Sequence, residues 1–165
     1  MKLLVSACLL GEPVRYDGLD NKQKLTPDQQ ELLWQWREQG RLVAVCPESL
    51  GGLPTPRPPA EIQNATGSEV LKNQAQVITI SNQNVTEAFK KGAQRTLEIA
   101  LQHQIRHALL AARSPSCGST EIYDGTFSKK RIAGAGVTAA LLTQHNIECF
   151  EPAEFERLKK LMRTS

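Results

Sequence analysis

Residues 1–11 read "MKLLVSACLLG", and the fold turns on whether this stretch is an export signal or a strand. Lys2 followed by apolar residues imitates the start of a signal peptide, and "VSAC" (Val5–Cys8) imitates a lipoprotein cleavage site. The apolar run from Leu3 to Ala7 falls short of the roughly 7–15 residues of a secretory core. It fits a first buried β-strand, a short continuous apolar run with Cys8 at its end. Without an export signal, the expected compartment is a reducing cytoplasm, in which the four cysteines stay out of disulfides. The sequons "NAT" (64–66) and "NVT" (84–86) are then patterns without consequence.

Working outward, strands and helices alternate. "TPDQQELLWQWREQG" carries Thr26 as N-cap, Pro27 at the first helical position, Gln29 as capping-box partner and Gly40 as terminator. "RLVAV" is a second buried strand ending at Cys46. "PESLGGLPTPRPPAEI" is too rich in Pro and Gly for regular structure, and so long an irregular stretch points to function. "EVLK" and "AQVITI" read as a minor hairpin or edge excursion. "NVTEAFKKGAQRTLEIALQHQ" is a helix with Val85, Ala88, Phe89, Gly92, Ala93, Leu97, Ala100 and Leu101 on one face. "HALLAA" is a third strand, "GVTAALLTQH" a helix, "IECF" a fourth strand and 151–165 a terminal helix. This order predicts a single Rossmann-like α/β domain over 1–165, a mainly parallel sheet with helices on both faces.

The bulk composition excludes several classes. The 165 residues are 40% hydrophobic and 22% charged with a formal net charge of +3, ordinary for a globular domain. No stretch is long enough to span a membrane. The basic clusters "SKKR" (128–131) and "RLKKLMR" (157–163) lack a recognition motif or aromatic platform, so they read as solvated faces rather than a nucleic-acid surface.

Cys8, Cys46 and Cys117 each follow a predicted strand, Cys117 within the loop "RSPSCGST" (113–120). In an open parallel sheet the carboxyl ends of the strands line one edge, where ligands bind. Residues 38 and then 71 positions apart can therefore meet in one crevice. Cys149, inside "IECF", reads as packing. Buried structural thiols are the plain alternative for all of them. Three converging thiolates suggest a metal, yet no C-x-x-C pair of the kind structural zinc uses is present. An all-sulfur set suits iron–sulfur chemistry. A 4Fe–4S cluster ordinarily takes four cysteines, so three leave one iron position open, a Lewis acid for a sulfur-bearing substrate.

The blocks "LVSACLLGEPVRYDG", "CPESLGGLPTPRPPAEI", "VTEAFKKGA", "RSPSCGS", "IYDGTF" and "GAGVTAALL" resemble, in unbroken order over about residues 2–150, the signatures of the thiouracil desulfurase family. Asn84 before "VTEAF" and "FSKK" in place of a more Gly-rich turn are the departures. The resemblance implies non-redox removal of sulfur, released as sulfide, from a thiolated pyrimidine such as 2-thiouracil, free or as a nucleotide. It implies a 4Fe–4S cluster, supplied by iron–sulfur assembly machinery, on Cys8, Cys46 and Cys117. It also implies a catalytic glutamate at Glu48 and a catalytic serine at Ser114.

Around these, Ser116, Tyr16, Tyr123 and Arg57 are candidate substrate contacts, Arg57 toward a phosphate or else as a loop partner. Gly11, Gly51, Gly52 and Gly118 permit close backbone approach to the site. The glycine turn at "GAGVTA" (134–139) is expected to open a helix whose N-terminus faces the pocket. A cysteine-ligated zinc hydrolase acting on nucleobases and a non-catalytic cluster-binding or sulfide-sensing protein are the alternatives.

Overall fold

The computed structural model describes residues 1–163, so the last two positions of the expected terminal helix, Thr164 and Ser165, lie outside the described residues. Its centre is a four-stranded parallel sheet in the order β2-β1-β5-β8, built from Leu42–Val45, Leu3–Ser6, His107–Leu109 and Glu148–Phe150. The opening stretch is the strand next to the switch in strand order. β1 is buried along its whole length, as a near-continuous apolar run covered on both faces requires.

α1 (Pro27–Glu38) connects β1 to β2 in one direction, whereas α4 (Thr86–Gln102) and α5 (Val137–Gln144) lead to β5 and β8 in the other. Right-handed crossovers therefore put α1 on one face and α4 and α5 on the opposite one. α6 (Phe155–Arg163) joins α1, with the Phe155 ring stacked on Trp36 at 5.9 Å. The start and stop of α1 follow the sequence signals: Thr26 and Gln29 form a reciprocal capping box after which Pro27 begins the helix, and Gly40 leaves it at φ +70°. α4 buries Phe89, Gly92, Ala93, Thr96, Leu97 and Ala100. The expected face is shifted by one position at its end, since Leu101 is 54% exposed.

The excursion after β2 departs from expectation. "EVLK" is not a strand but part of α3 (Gly67–Leu71), begun by a capping box between Thr66 and Glu69. The partner of β4 (Val77–Thr79) is β3 (Ala60–Ile62), at the end of the stretch expected to be irregular. That same stretch also opens with a short helix, α2 (Pro47–Leu50). A second hairpin, β6 (Glu121–Tyr123) with β7 (Arg131–Ala133), follows the Cys117 loop. Ile62, Val70, Val77, Phe89, Ala93, Ile122 and Val137 form a second apolar cluster beneath these additions. α4 is the shared support, its Leu97 and Ala100 packing into the main core. Among the described residues, no helix is long and apolar enough to cross a membrane.

Candidate active site

Register places the three cysteines. Ser6, the last residue of β1, pairs with Val45, the last of β2, so the chain leaves both strands at the same level. Cys8 follows in a single 3-10 turn over Ala7–Leu10, and Cys46 is the residue immediately after β2. β5 lies on the other side of β1, with Leu109 opposite Val5, and feeds the loop that carries Cys117. Cys8 and Cys117 thus flank the point where strand order reverses, the crevice in which open α/β sheets bind ligands. All three thiols line one cavity of about 530 Å³, within the range of small-molecule sites.

The Cys117 loop is fixed by its own backbone polarity. Ser114 Oγ accepts the N–H groups of Ser116 at 3.0 Å and Cys117 at 3.1 Å. Beneath, Val137 N–H donates to the Pro115 carbonyl, and Thr138 and Ala139 N–H donate to that of Ser116. These are the first amides of α5, otherwise left without partners inside the helix. The expectation that this helix aims its N-terminus into the pocket is therefore corrected: the end is occupied by the loop, and Gly134–Ala139 do not line the cavity. Ser116 is likewise not brought to the cavity, being buried with its hydroxyl 2.9 Å from Thr138 Oγ1.

Each sulfur has a polar neighbour. Ser6 is 3% exposed, and its Oγ accepts the Ala111 N–H at 3.0 Å. Its hydroxyl proton is then directed at the Cys117 sulfur, 3.6 Å away. The Ser49 hydroxyl donates to Cys46 Sγ at 3.2 Å, and the Cys46 thiol reaches the Val14 carbonyl at 3.8 Å. Burial, and then the nearby Cys46, push the Cys8 thiol up to about 11, while a hydrogen bond from the Asn21 side chain and the Arg15 guanidinium pull it back. Burial raises the Cys117 thiol well above the ordinary thiol range, against the bond from Ser6. The buried thiols of Cys8 and Cys117 resist ionisation unless a cation joins them, and metal binding releases their protons.

Glu48 lies in the first turn of α2, and Arg57 closes on it with Nε 2.7 Å and Nη2 2.5 Å from Oε2. Arg57 also donates to the carbonyls of Pro54 and Val14 and to Thr55 Oγ1. All five of its N–H groups are accounted for, so it lines the cavity with its donors already engaged inside the protein. α2 reaches this place through a backbone contact with α4: a Cβ on Gly51 would lie 2.0 Å from the Ala88 carbonyl oxygen, and one on Gly92 2.0 Å from that of Pro47. Tyr16 and Tyr123 line the cavity, as do Ser114, Asn21, Lys24, Glu61, Phe127 and Lys129. The residues after Ser114 were not foreseen. Asn21, Glu61 and Phe127 reach the cavity through tertiary folding that no local spacing announces.

The donor set can be tested against a cluster. Cys8, Cys46 and Cys117 border one cavity; Cys46 helps raise the Cys8 thiol, and Cys8 and Cys46 help raise that of Cys117. Among the described residues, no three His, Cys, Asp or Glu side chains are placed to hold a single metal ion. Soft ligands spread around a cavity, rather than closed on one point, fit a group with several iron corners.

The chain matches the model of the 2-thiouracil desulfurase family over residues 3–154. It belongs to the 2-thiouracil desulfurase family. Among solved structures, a [4Fe-4S]-dependent thiouracil desulfidase, TudS, superposes with a TM-score of 0.86 at 43% identity, covering 99% of both chains. An uncharacterized protein of Bacillus subtilis (strain 168), YbbK, is 44% identical over 142 residues, 86% of this chain and 89% of that protein. The resemblance carried by the six sequence blocks is thus borne out, and the α/β expectation with it. Cys149, by contrast, lies in β8 at the far edge of the sheet, with its sulfur 3.7 Å from the Ile147 carbonyl and burial pushing the thiol up to about 11.

Proposed function

We propose that this desulfurase-family protein hydrolyses a thiolated pyrimidine of the 2-thiouracil type to its carbonyl form and releases sulfide, without net oxidation or reduction. The convergence of three strand-end thiols beside a paired carboxylate carries this reading. Cys8, Cys46 and Cys117 would hold a 4Fe–4S cluster with one iron position open. When bound, that cluster supplies a Lewis-acidic iron that polarises the carbon–sulfur bond and accepts the departing sulfur.

The chain's own residues do the rest. Arg57 fixes Glu48 through Oε2, which leaves Oε1 free of the pair and able to take a proton from water. The water oxygen bonds to the thiocarbonyl carbon as the carbon–sulfur π pair moves to sulfur. The carbonyl then forms as the second water proton leaves, the remaining carbon–sulfur pair departs with sulfur, and both protons end on the released sulfur as hydrogen sulfide. Ser114 already accepts two N–H groups, so its hydroxyl acts as a donor, to the ring or to that water. Tyr16 and Tyr123 border the space left for the ring, and Lys24 and Lys129 would favour an anionic substituent such as the phosphate of a nucleotide.

This reading treats residues 1–165 as one catalytic domain, loaded by iron–sulfur assembly machinery in the reducing cytoplasm, where its four free cysteines stay reduced. Anaerobic reconstitution with iron and sulfide counted, followed by 2-thiouracil with its thiocarbonyl absorbance monitored, tests it. About four irons per chain and absorbance loss that is slowed about 10²-fold or more in Glu48→Gln support it. Tight zinc binding with no iron uptake would favour a zinc hydrolase, and a loaded but inactive protein would favour a sensor.

A further inference from the structure

The cavity has a second wall that the cysteine chemistry does not use. The connection from β6 to β7, residues 124–130, contributes Phe127 and Lys129 to the lining. Phe127 has φ +55° and Lys129 φ +63°. The left-handed region is uncommon for any residue with a Cβ and a true outlier for a bulky one, so the surrounding structure must hold it there.

Glu61 on β3 does so. It is 8% exposed, a buried carboxyl group. Its Oε1 accepts the N–H of Gly125 at 2.9 Å and of Phe127 at 3.2 Å, across 64 and 66 positions of sequence. Two further bonds tie the loop to the same segment, from Gln63 Nε2 to the Gly125 carbonyl and from Asn64 N–H to that of Asp124. The two segments touch at Gly125, where a Cβ would come within 2.7 Å of the Ile62 carbonyl oxygen. A buried carboxylate is costly unless its bonds are charge-assisted and well aligned. Here those bonds set one aromatic residue of the cavity wall in a conformation it would not adopt alone.

Resting on the desulfuration reading, we propose that Phe127 is the aromatic surface against which the pyrimidine ring lies, and that Glu61 is a positioning residue acting through it. A planar ring held by its face leaves its edge free to present the thiocarbonyl to the thiol side of the cavity. Tyr16 is less suited to that task, being 40% exposed with the Arg15 guanidinium 5.7 Å over its ring.

The test uses cluster-loaded protein with iron content checked, and KM and kcat for 2-thiouracil. Phe127→Ala raises KM about 10-fold, the scale of one base–aromatic stack, and Phe127→Tyr restores it. Phe127→Leu keeps the packing volume and still raises KM, which separates loss of the ring from loss of fold. Glu61→Ala raises KM in the same way, and Glu61→Gln, which retains the accepting oxygen, restores it. Because Glu61 acts through Phe127, the double alanine variant is no worse than Phe127→Ala alone. In metal-free protein, Glu61→Ala speeds hydrogen exchange at the Gly125 and Phe127 amides and Glu61→Gln does not. An unchanged KM in Phe127→Ala at full iron content, or additive effects in the double variant, overturns this inference alone. Wild-type protein that holds its cluster but leaves 2-thiouracil intact overturns the desulfuration reading, and this inference with it.

Discussion

Arg57 holds Glu48 by a single carboxylate oxygen: Nε and Nη2 both reach Oε2, at 2.7 and 2.5 Å. The pair is largely buried, the two side chains being 6% and 16% exposed. Removing one partner of such a pair leaves an uncompensated charge. Arg57→Ala is therefore expected to cost about 3 kcal/mol of stability, read as a lowered denaturant midpoint. Arg57→Lys keeps the charge but not the fork, and should retain iron while lowering kcat. Glu48→Gln should retain iron and lower kcat by roughly 10²-fold or more, the contribution of a general base.

The Ser6 hydroxyl ties the end of β1 to Ala111, just beyond β5, and to the Cys117 sulfur. Ser6→Ala leaves the Ala111 N–H buried without an acceptor, which costs about 1–3 kcal/mol. Urea unfolding of the metal-free protein measures this. If Cys117 holds the cluster as proposed, the same variant of the loaded protein removes a donor from its sulfur, and donors to sulfur help set a cluster's potential. A donor stabilises the more negative, reduced state, so the midpoint should move to more negative values in Ser6→Ala.

Legibility followed the range of the interactions. The parallel sheet could be read because its strands are continuous apolar runs, and α1 because Thr26, Pro27 and Gln29 act within one turn. α3 carried an equally local signal, Thr66 and Glu69 at capping-box spacing, which the β-like "EVLK" obscured. β3 was hidden by the prolines before it, since its identity comes from pairing with β4. The same division runs through the site. Strand ends located Cys8, Cys46 and Cys117, and family blocks marked Glu48 and Ser114. Glu61 and Phe127 act on each other across 66 positions, a relation that only the folded chain displays.

Cys149 offers a pH test free of the cluster. Burial holds its thiol at about 11 against 9.0 for an ordinary one. The unfolded thiol ionises first, so stability from this residue is full below pH 9 and lost as pH rises from 9 to 11. Over that range wild-type metal-free protein should lose about 2–3 kcal/mol more than Cys149→Ala, at 1.36 kcal/mol per pH unit. Stability measured by denaturant at the two pH values checks it. Cys149→Ala should also take up the wild-type complement of iron.

Gly51 and Gly92 let α2 and α4 touch backbone to backbone. Either alanine variant drives a methyl group to 2.0 Å from a carbonyl oxygen, so α2 must move and carry Glu48 with it. A loss of about 3 kcal/mol, the upper part of the usual overpacking range, is expected. Thermal unfolding measures it, and kcat should fall in whatever protein remains folded.

The most direct measurement is anaerobic incubation of cluster-loaded protein with 2-thiouracil, with no reductant or oxidant added and with uracil and sulfide both quantified. The account predicts equal amounts of the two, matching the thiouracil consumed, and none in Cys117→Ala. Thiouracil consumption that requires an electron donor, or intact thiouracil in the presence of a full cluster, would contradict it.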